Sequence, residues 1–122
     1  MKTTLQRAEA LVRAAEGFEE FLGILRVDDL MRLVELELEL GSLDAFVAHG
    51  DVQSKAIAPG TILHVVSGNS PHAGLQSLAR GYLLGSRNLV KISKGGGDEI
   101  IEFAKALGLG ENISESLSNE WL

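Results

Sequence analysis

The most informative absence in this sequence is cysteine. None of the 122 residues is a cysteine. The chain therefore has no disulfide, no thiolate ligand for a zinc ion and no cysteine nucleophile of its own. The composition alone therefore excludes these three classes of site.

Long apolar runs and an excess of basic residues are also absent. No run approaches the length of a membrane span, and residues 1–21 carry acidic side chains without the continuous apolar segment of a signal peptide. We therefore expect a soluble cytoplasmic protein. Seventeen acidic residues against eleven basic ones give a formal net charge of -6, which repels a phosphate backbone and argues against a nucleic-acid partner.

The length and composition are those of one globular domain. With 122 residues, of which 45% are hydrophobic, the chain can bury a single modest core. Its patterning separates a helical N-terminal region, residues 1–57, from residues 58–122, where β-branched apolar runs alternate with helical ones. There is no internal repeat and no low-complexity tract.

Residues 1–57 are predicted to be helical. The first helix is indicated by apolar residues at helical spacing, namely Leu5, Ala8, Val12 and Ala15. A second helix is predicted from Asp28 onward. The ELELELG alternation at residues 35–41 is typical of a half-buried strand, but leucine and glutamate are strong helix formers. We interpret this stretch as helix ending at Gly41, with Ser42 capping a short helix that follows.

Residues 58–122 are predicted to form a partial, incomplete dinucleotide-binding βαβα unit. Its strands are TILHVV at residues 61–66, predicted to be buried on both faces, and NLVKIS at residues 88–93. Its helices begin near Pro71 and Asp98. The fold class is therefore α/β, with a helical N-terminal half followed by a partial parallel βαβα Rossmann-like unit. Two parallel strands are too few for a sheet, so we expect an exposed edge.

Several well-known catalytic and nucleotide-binding motifs are missing. The GxxxxGK[ST] spacing is not met, GxSxG is absent, and GLGENI near Gly108 lacks the third glycine of a dinucleotide fingerprint. The histidines, His49, His64 and His72, do not have the spacing of metal ligands on one helix face. We interpret each histidine as structural and predict no metal site.

Two short segments remain as candidates for a site. SGNSP follows the first strand, and LVKISKGGG contains the end of the second. Asn69 would then lie at the carboxyl end of one strand and Lys91 near the carboxyl end of its neighbour, where open α/β sheets bind ligands. The alternative interpretation of Asn69 is a residue that tolerates a left-handed turn.

The region that contains both segments, residues 58–93, resembles the acyl-CoA reductase family. These enzymes are the fatty-acid reductase relatives of bacterial luminescence, within the aldehyde dehydrogenase superfamily. The resemblance implies that the substrate is a fatty acyl-CoA or another acyl thioester, which is reduced to an aldehyde. It also implies that the side-chain amide of Asn69 donates to the oxyanion that forms when a cysteine thiolate attacks the substrate carbonyl.

The resemblance further implies a cofactor site at the end of the second strand. Lys91 matches the family lysine that contacts the adenosine ribose of a nicotinamide cofactor, and Ser93 lies beside it. The usual superfamily pattern continues with proline, a small residue and an acid, whereas this chain has Ile92, Ser93 and Lys94. An acid suits the ribose hydroxyls of NAD, while Lys94 would attract the extra phosphate of NADP, so the expected cofactor is NADP(H).

The departure with the largest consequence is the missing cysteine. The resemblance implies that these residues are the N-terminal part of an NADP(H)-dependent acyl-CoA reductase without its cysteine nucleophile. We therefore expect them to have no reductase activity alone. We then expect the sequence encoded beyond Leu122 to supply a cysteine and further βα units. The alternative is a non-catalytic nucleotide-fold module that pairs with another subunit, or with a second copy, through its exposed sheet edge.

Overall fold

A computed structural model describes residues 2–38, 41–66, 71–93, 97–109 and 113–116. Three helices come first, a two-stranded hairpin follows, and a parallel sheet with two helices completes the described part of the chain. This α/β architecture confirms the predicted fold class. The elements are α1 (Thr4–Ala15), α2 (Glu19–Leu22), α3 (Val27–Glu37), β1 (Val47–His49), β2 (Val52–Ser54), β3 (Thr61–Val66), α4 (Pro71–Leu84), β4 (Arg87–Ser93), α5 (Asp98–Ala106) and β5 (Ile113–Ser116).

Helix α1 begins with a capping box. The Thr3 side chain accepts from the backbone N–H of Gln6, and the Gln6 side chain accepts from the backbone N–H of Thr3. The buried face of the helix includes Ala8 and Leu11, whereas Leu5, predicted to lie on that face, is half exposed. The helical spacing was correct, and Ala8 and Ala15 are buried as predicted. Leu11 and Ala14, which were not predicted, also belong to the buried face.

Arg7 joins α1 to the last turn of α4. Its guanidinium Nε donates to the backbone carbonyl of Leu83 at 2.9 Å, while its other nitrogens donate to the Lys2 carbonyl and the Thr4 hydroxyl. The carbonyls at the end of a helix lack partners within the helix, and its dipole favours a cation there. Arg7 therefore satisfies the end of α4 from a neighbouring element.

The alternating leucine and glutamate stretch, residues 35–41, is helical only at its start. Helix α3 ends at Glu37, and Leu38 is already extended, with φ -136° and ψ 161°. The predicted continuation to Gly41 was therefore wrong. The short helix predicted after Ser42 was also wrong, because residues 41–44 form a turn instead. The backbone N–H groups of Asp44 and Ala45 both donate to the Gly41 carbonyl.

A hairpin that was not predicted follows these turns. Strands β1 and β2 are antiparallel, with His49 paired to Val52, so the loop between them contains only Gly50 and Asp51. Gly50 has φ +62°, which a two-residue hairpin loop favours and which glycine adopts without strain. A Gly-Asp pair between two short strands was the available signal for this element.

The second half forms a three-stranded parallel sheet in the order β3, β4, β5. Strand β5 was not predicted and adds a third member next to β4. Helix α4 begins at Pro71, as predicted, and Gly85 follows its end with φ +84°. The predicted inward face of α4 is confirmed by five buried residues, Leu75, Leu78, Ala79, Tyr82 and Leu83.

The prediction that β3 is buried on both faces was wrong. Its side chains alternate: His64 and Val66 are buried, whereas Leu63 is 48% exposed and Val65 is 70% exposed. Helix α4 packs on the face that carries His64 and Val66, and among the described residues no element covers Leu63 and Val65 as fully. The sheet therefore has one deeply buried face and one face that is partly open.

Candidate functional site

The carboxyl ends of β3 and β4 lie at one edge of the sheet. The strands are parallel and pair in register from Thr61 with Arg87 to Val66 with Ile92. Helix α4 starts five positions after Val66, which leaves residues 67–70 to connect the strand to the helix. A strand followed by a short connection and a helix is the arrangement at whose sheet edge α/β proteins bind ligands.

Lys91 lies close to this edge, directly opposite Val65. Its strand neighbours, Val90 and Ile92, are buried on the face that packs against the helices, so alternation places Lys91 on the other face. The lysine is nevertheless only 7% exposed. A buried ammonium group must be compensated by polar or charged surroundings, which distinguishes Lys91 from an ordinary surface lysine.

The other predicted site residues are described in part or not at all. Ser93 ends β4 and pairs with Ser116 of β5, which puts its backbone two positions beyond Lys91 at the same edge. Asn69 and Lys94 lie outside the described residues. The structure therefore brings Lys91 and Ser93 together, and the roles of Asn69 and Lys94 stay predictions.

A second group of polar side chains lies deeper in the sheet and was missed by the sequence interpretation. The imidazole Nδ1 of His64 in β3 lies 2.6 Å from the hydroxyl of Ser77 in α4, and its Nε2 lies 2.9 Å from Oδ1 of Asn88 in β4. The Asn88 amide nitrogen donates to the backbone carbonyl of Ser86 at 2.9 Å. We call the three side chains of Ser77, His64 and Asn88 the relay.

The hydrogen bonds of the relay assign its protons. Because the amide nitrogen of Asn88 is directed at the Ser86 carbonyl, the amide oxygen faces His64 and must accept. Nε2 of the neutral ring therefore carries the proton, and Nδ1 accepts from the Ser77 hydroxyl. A hydroxyl directed at an unprotonated imidazole nitrogen is the arrangement of a general base and its proton donor.

Gly81 makes room for this group on α4. A Cβ atom at this position would lie 2.1 Å from Oδ1 of Asn88 and 3.1 Å from Nε2 of His64. A side chain at position 81 would therefore push the relay apart. The sequence signal for the relay was the placement of Ser77 and Gly81 one turn apart on the helix that follows the His64 strand.

Comparison with protein-family models gives a match over residues 1–113 to the family described as acyl-CoA reductase (LuxC). The chain belongs to the acyl-CoA reductase family. This confirms the resemblance noted for residues 58–93 and extends it over the helical region. Comparison with curated proteins and comparison with solved structures gave no match.

Membership of the acyl-CoA reductase family implies, in general terms, an acyl substrate, reductase chemistry and a nucleotide cofactor. Among the residues that the structure describes there is no group of three histidine, cysteine, aspartate or glutamate side chains able to hold a metal ion. No helix in the same part is long and apolar enough to cross a membrane.

Proposed function

We propose that this chain supplies the oxyanion donor and part of the cofactor site of an NADP(H)-dependent acyl-CoA reductase of the aldehyde dehydrogenase superfamily. The substrate is a fatty acyl thioester and the product an aldehyde. The observation that carries the proposal is the parallel pairing of β3 and β4 in a chain that matches the reductase family over residues 1–113. Ligands bind at the carboxyl edge of such strands.

Asn69 is the proposed oxyanion donor. It lies in the connection between β3 and α4, two positions before Pro71 begins the helix. A neutral amide N–H stabilises the negative charge that develops on a carbonyl oxygen, and it is not neutralised in doing so. Removing one such donor costs about 3 kcal/mol of transition-state stabilisation.

Lys91, Ser93 and Lys94 are the proposed residues for the adenosine end of the cofactor. The placement of Lys91 and Ser93 at the carboxyl end of β4 fits a nucleotide at this edge. Lys94 follows Ser93 directly, and an ammonium group there favours the 2′-phosphate of NADP over the bare ribose of NAD. When bound, the nicotinamide supplies the hydride that reduces the acyl group.

Under this proposal the cysteine nucleophile of the reduction lies outside these 122 residues, because none of them is a cysteine. The test is an acyl-CoA reduction assay with NADPH, run on this chain and on a longer chain that includes the family's cysteine. We expect aldehyde only from the longer chain, and an Asn69→Ala variant of it should lose roughly 100-fold in turnover. Aldehyde formation by the 122-residue chain would contradict the proposal.

A second candidate function is a non-catalytic module that pairs through β3. The exposed side chains of Leu63 and Val65 favour it. In the part of the chain that the structure describes, β3 is an edge strand, and an apolar, partly uncovered edge strand promotes association. Light scattering and nucleotide binding distinguish the two candidates. The module should form a dimer or a larger homo-oligomer and bind neither NADPH nor NADH, whereas the reductase fragment should bind NADPH.

A further inference from the structure

We propose that Ser77 is an acyl acceptor, activated by His64, and that the chain cleaves acyl thioesters or esters without a nicotinamide cofactor. The proposal rests on the relay geometry and not on the proposed reductase function. The two distances that define it are 2.6 Å from the Ser77 hydroxyl to His64 Nδ1 and 2.9 Å from His64 Nε2 to Asn88 Oδ1. A nucleophile, a base and a group that orients the base are thus connected in series.

The third member of the relay suits this role. Asn88 is fully buried, and its amide is held by the Ser86 carbonyl, so its oxygen has one orientation toward His64. That orientation keeps the proton on Nε2 and leaves Nδ1 to take the proton of Ser77. An asparagine in this position orients the imidazole in known nucleophile and histidine pairs as well.

The relay opens into a groove that suits an acyl chain. A cavity of about 480 Å³ lies between β3 and α4, and both Ser77 and His64 line it. Its apolar lining includes Ile62, Leu63, Ala73 and Leu84. The groove borders four consecutive positions of β3, residues 62–65, and so runs along a strand edge. In the described part of the chain β3 pairs only with β4, so backbone N–H groups at this edge can hold an oxyanion.

The reaction balances with water as the only co-reactant. The Ser77 oxygen attacks the acyl carbonyl carbon while His64 Nδ1 takes the hydroxyl proton, and an oxygen–carbon bond forms. The carbon–sulfur bond of the thioester then breaks, and the thiol leaves with the proton from His64. Water attacks the resulting ester with His64 as base, releases the carboxylic acid and restores Ser77. Nothing is oxidised or reduced.

The first experiment treats the protein with a fluorophosphonate ester and locates the adduct by mass spectrometry. We expect one adduct, on Ser77, formed at least about tenfold faster than in His64→Gln, because a general base contributes 100-fold or more. Ser42→Ala should label at the wild-type rate, because Ser42 is a buried serine that does not line the groove. Absence of an adduct on Ser77 of the wild-type protein would overturn the proposal.

The second experiment uses the absence of cysteine. Ser77→Cys introduces the only thiol in the chain, so its reaction with iodoacetamide reports on that position alone. We expect alkylation at pH 7 to be at least about tenfold faster than in the Ser77→Cys, His64→Gln double variant. Both variants are first checked for an unchanged circular dichroism spectrum. Equal alkylation rates in the two variants would then mean that His64 does not act as a base and that the relay is structural only.

A hydrolysis assay completes the test. With p-nitrophenyl butyrate and no nucleotide, the wild-type protein should release nitrophenol at least about 100-fold faster than Ser77→Ala. Equal rates would overturn the proposal. The assay contains no NADPH, so its result is independent of whether the protein binds a nicotinamide cofactor.

Discussion

His64 and Asn88 are joined by a 2.9 Å hydrogen bond, although they lie 24 positions apart on neighbouring strands. Ser77, on the helix between the strands, completes the connection from the other side of the imidazole ring. The parallel unit of β3, α4 and β4 is therefore held together by polar contacts as well as by its apolar core. Buried polar groups of this kind stabilise a structure only while every member keeps its partner.

The space for the relay depends on Gly81. Gly81→Ala would put a Cβ atom 2.1 Å from Asn88 Oδ1, and Asn88 is fixed by its bond to the Ser86 carbonyl. We expect the free energy of unfolding, measured by urea denaturation, to fall by about 1–3 kcal/mol. Gly17→Ala is the control, because a Cβ atom there meets nothing within 4 Å, and it should change stability by less than about 1 kcal/mol. Equal losses in the two variants would contradict the crowded geometry.

The contact between α1 and the end of α4 depends on Arg7. Arg7→Lys keeps the charge but cannot donate at once to the carbonyls of Leu83 and Lys2 and to the Thr4 hydroxyl. We expect unfolding free energy to fall by about 1–3 kcal/mol. The exposed Arg13 of the same helix provides the control, and Arg13→Lys should leave the denaturation midpoint unchanged. An unchanged midpoint for Arg7→Lys would show that these bonds contribute little.

Phe103 anchors α5 to the N-terminal helices. It is 0% exposed and makes an edge-to-face contact with Phe18, with ring centroids 5.2 Å apart. Phe103→Ala should cost about 3–5 kcal/mol, because it removes a buried ring and leaves a cavity. Phe46 is 67% exposed, so Phe46→Ala should cost less than about 0.5 kcal/mol. A mild effect of Phe103→Ala, measured by thermal unfolding, would contradict this packing.

The elements that sequence predicted well are those with strong local signals. Pro71 and Gly85 limit α4, and a run of β-branched residues marks β3, so their bounds agree with the structure. The burial of β3 was harder to predict, because it depends on which elements cover the second face of the sheet. The end of α3 was missed since both helix and strand propensities fit the leucine and glutamate stretch.

Only part of the candidate site could be predicted from the sequence. Lys91 was selected from the sequence because the resemblance to the family implies a cofactor-binding lysine at the end of this strand, and its role stays a prediction. The relay could not be selected in this way, because its three members come from three elements and lie 13 and 24 positions apart in the chain. Their proximity is a property of the strand register and of the turn of α4 that faces the sheet.

The most direct test of the central claim is a calorimetric titration of the protein with NADPH and with NADH. We predict roughly tenfold tighter binding of NADPH, since a charge-assisted hydrogen bond contributes about 1.5–3 kcal/mol and 1.4 kcal/mol is tenfold. Lys94→Glu should abolish the preference for NADPH. Lys55→Glu is the control, because it makes the same charge change at an exposed position in the other half of the chain, and it should leave the preference intact. Equal affinities for the two nucleotides, or binding of neither, would contradict the account.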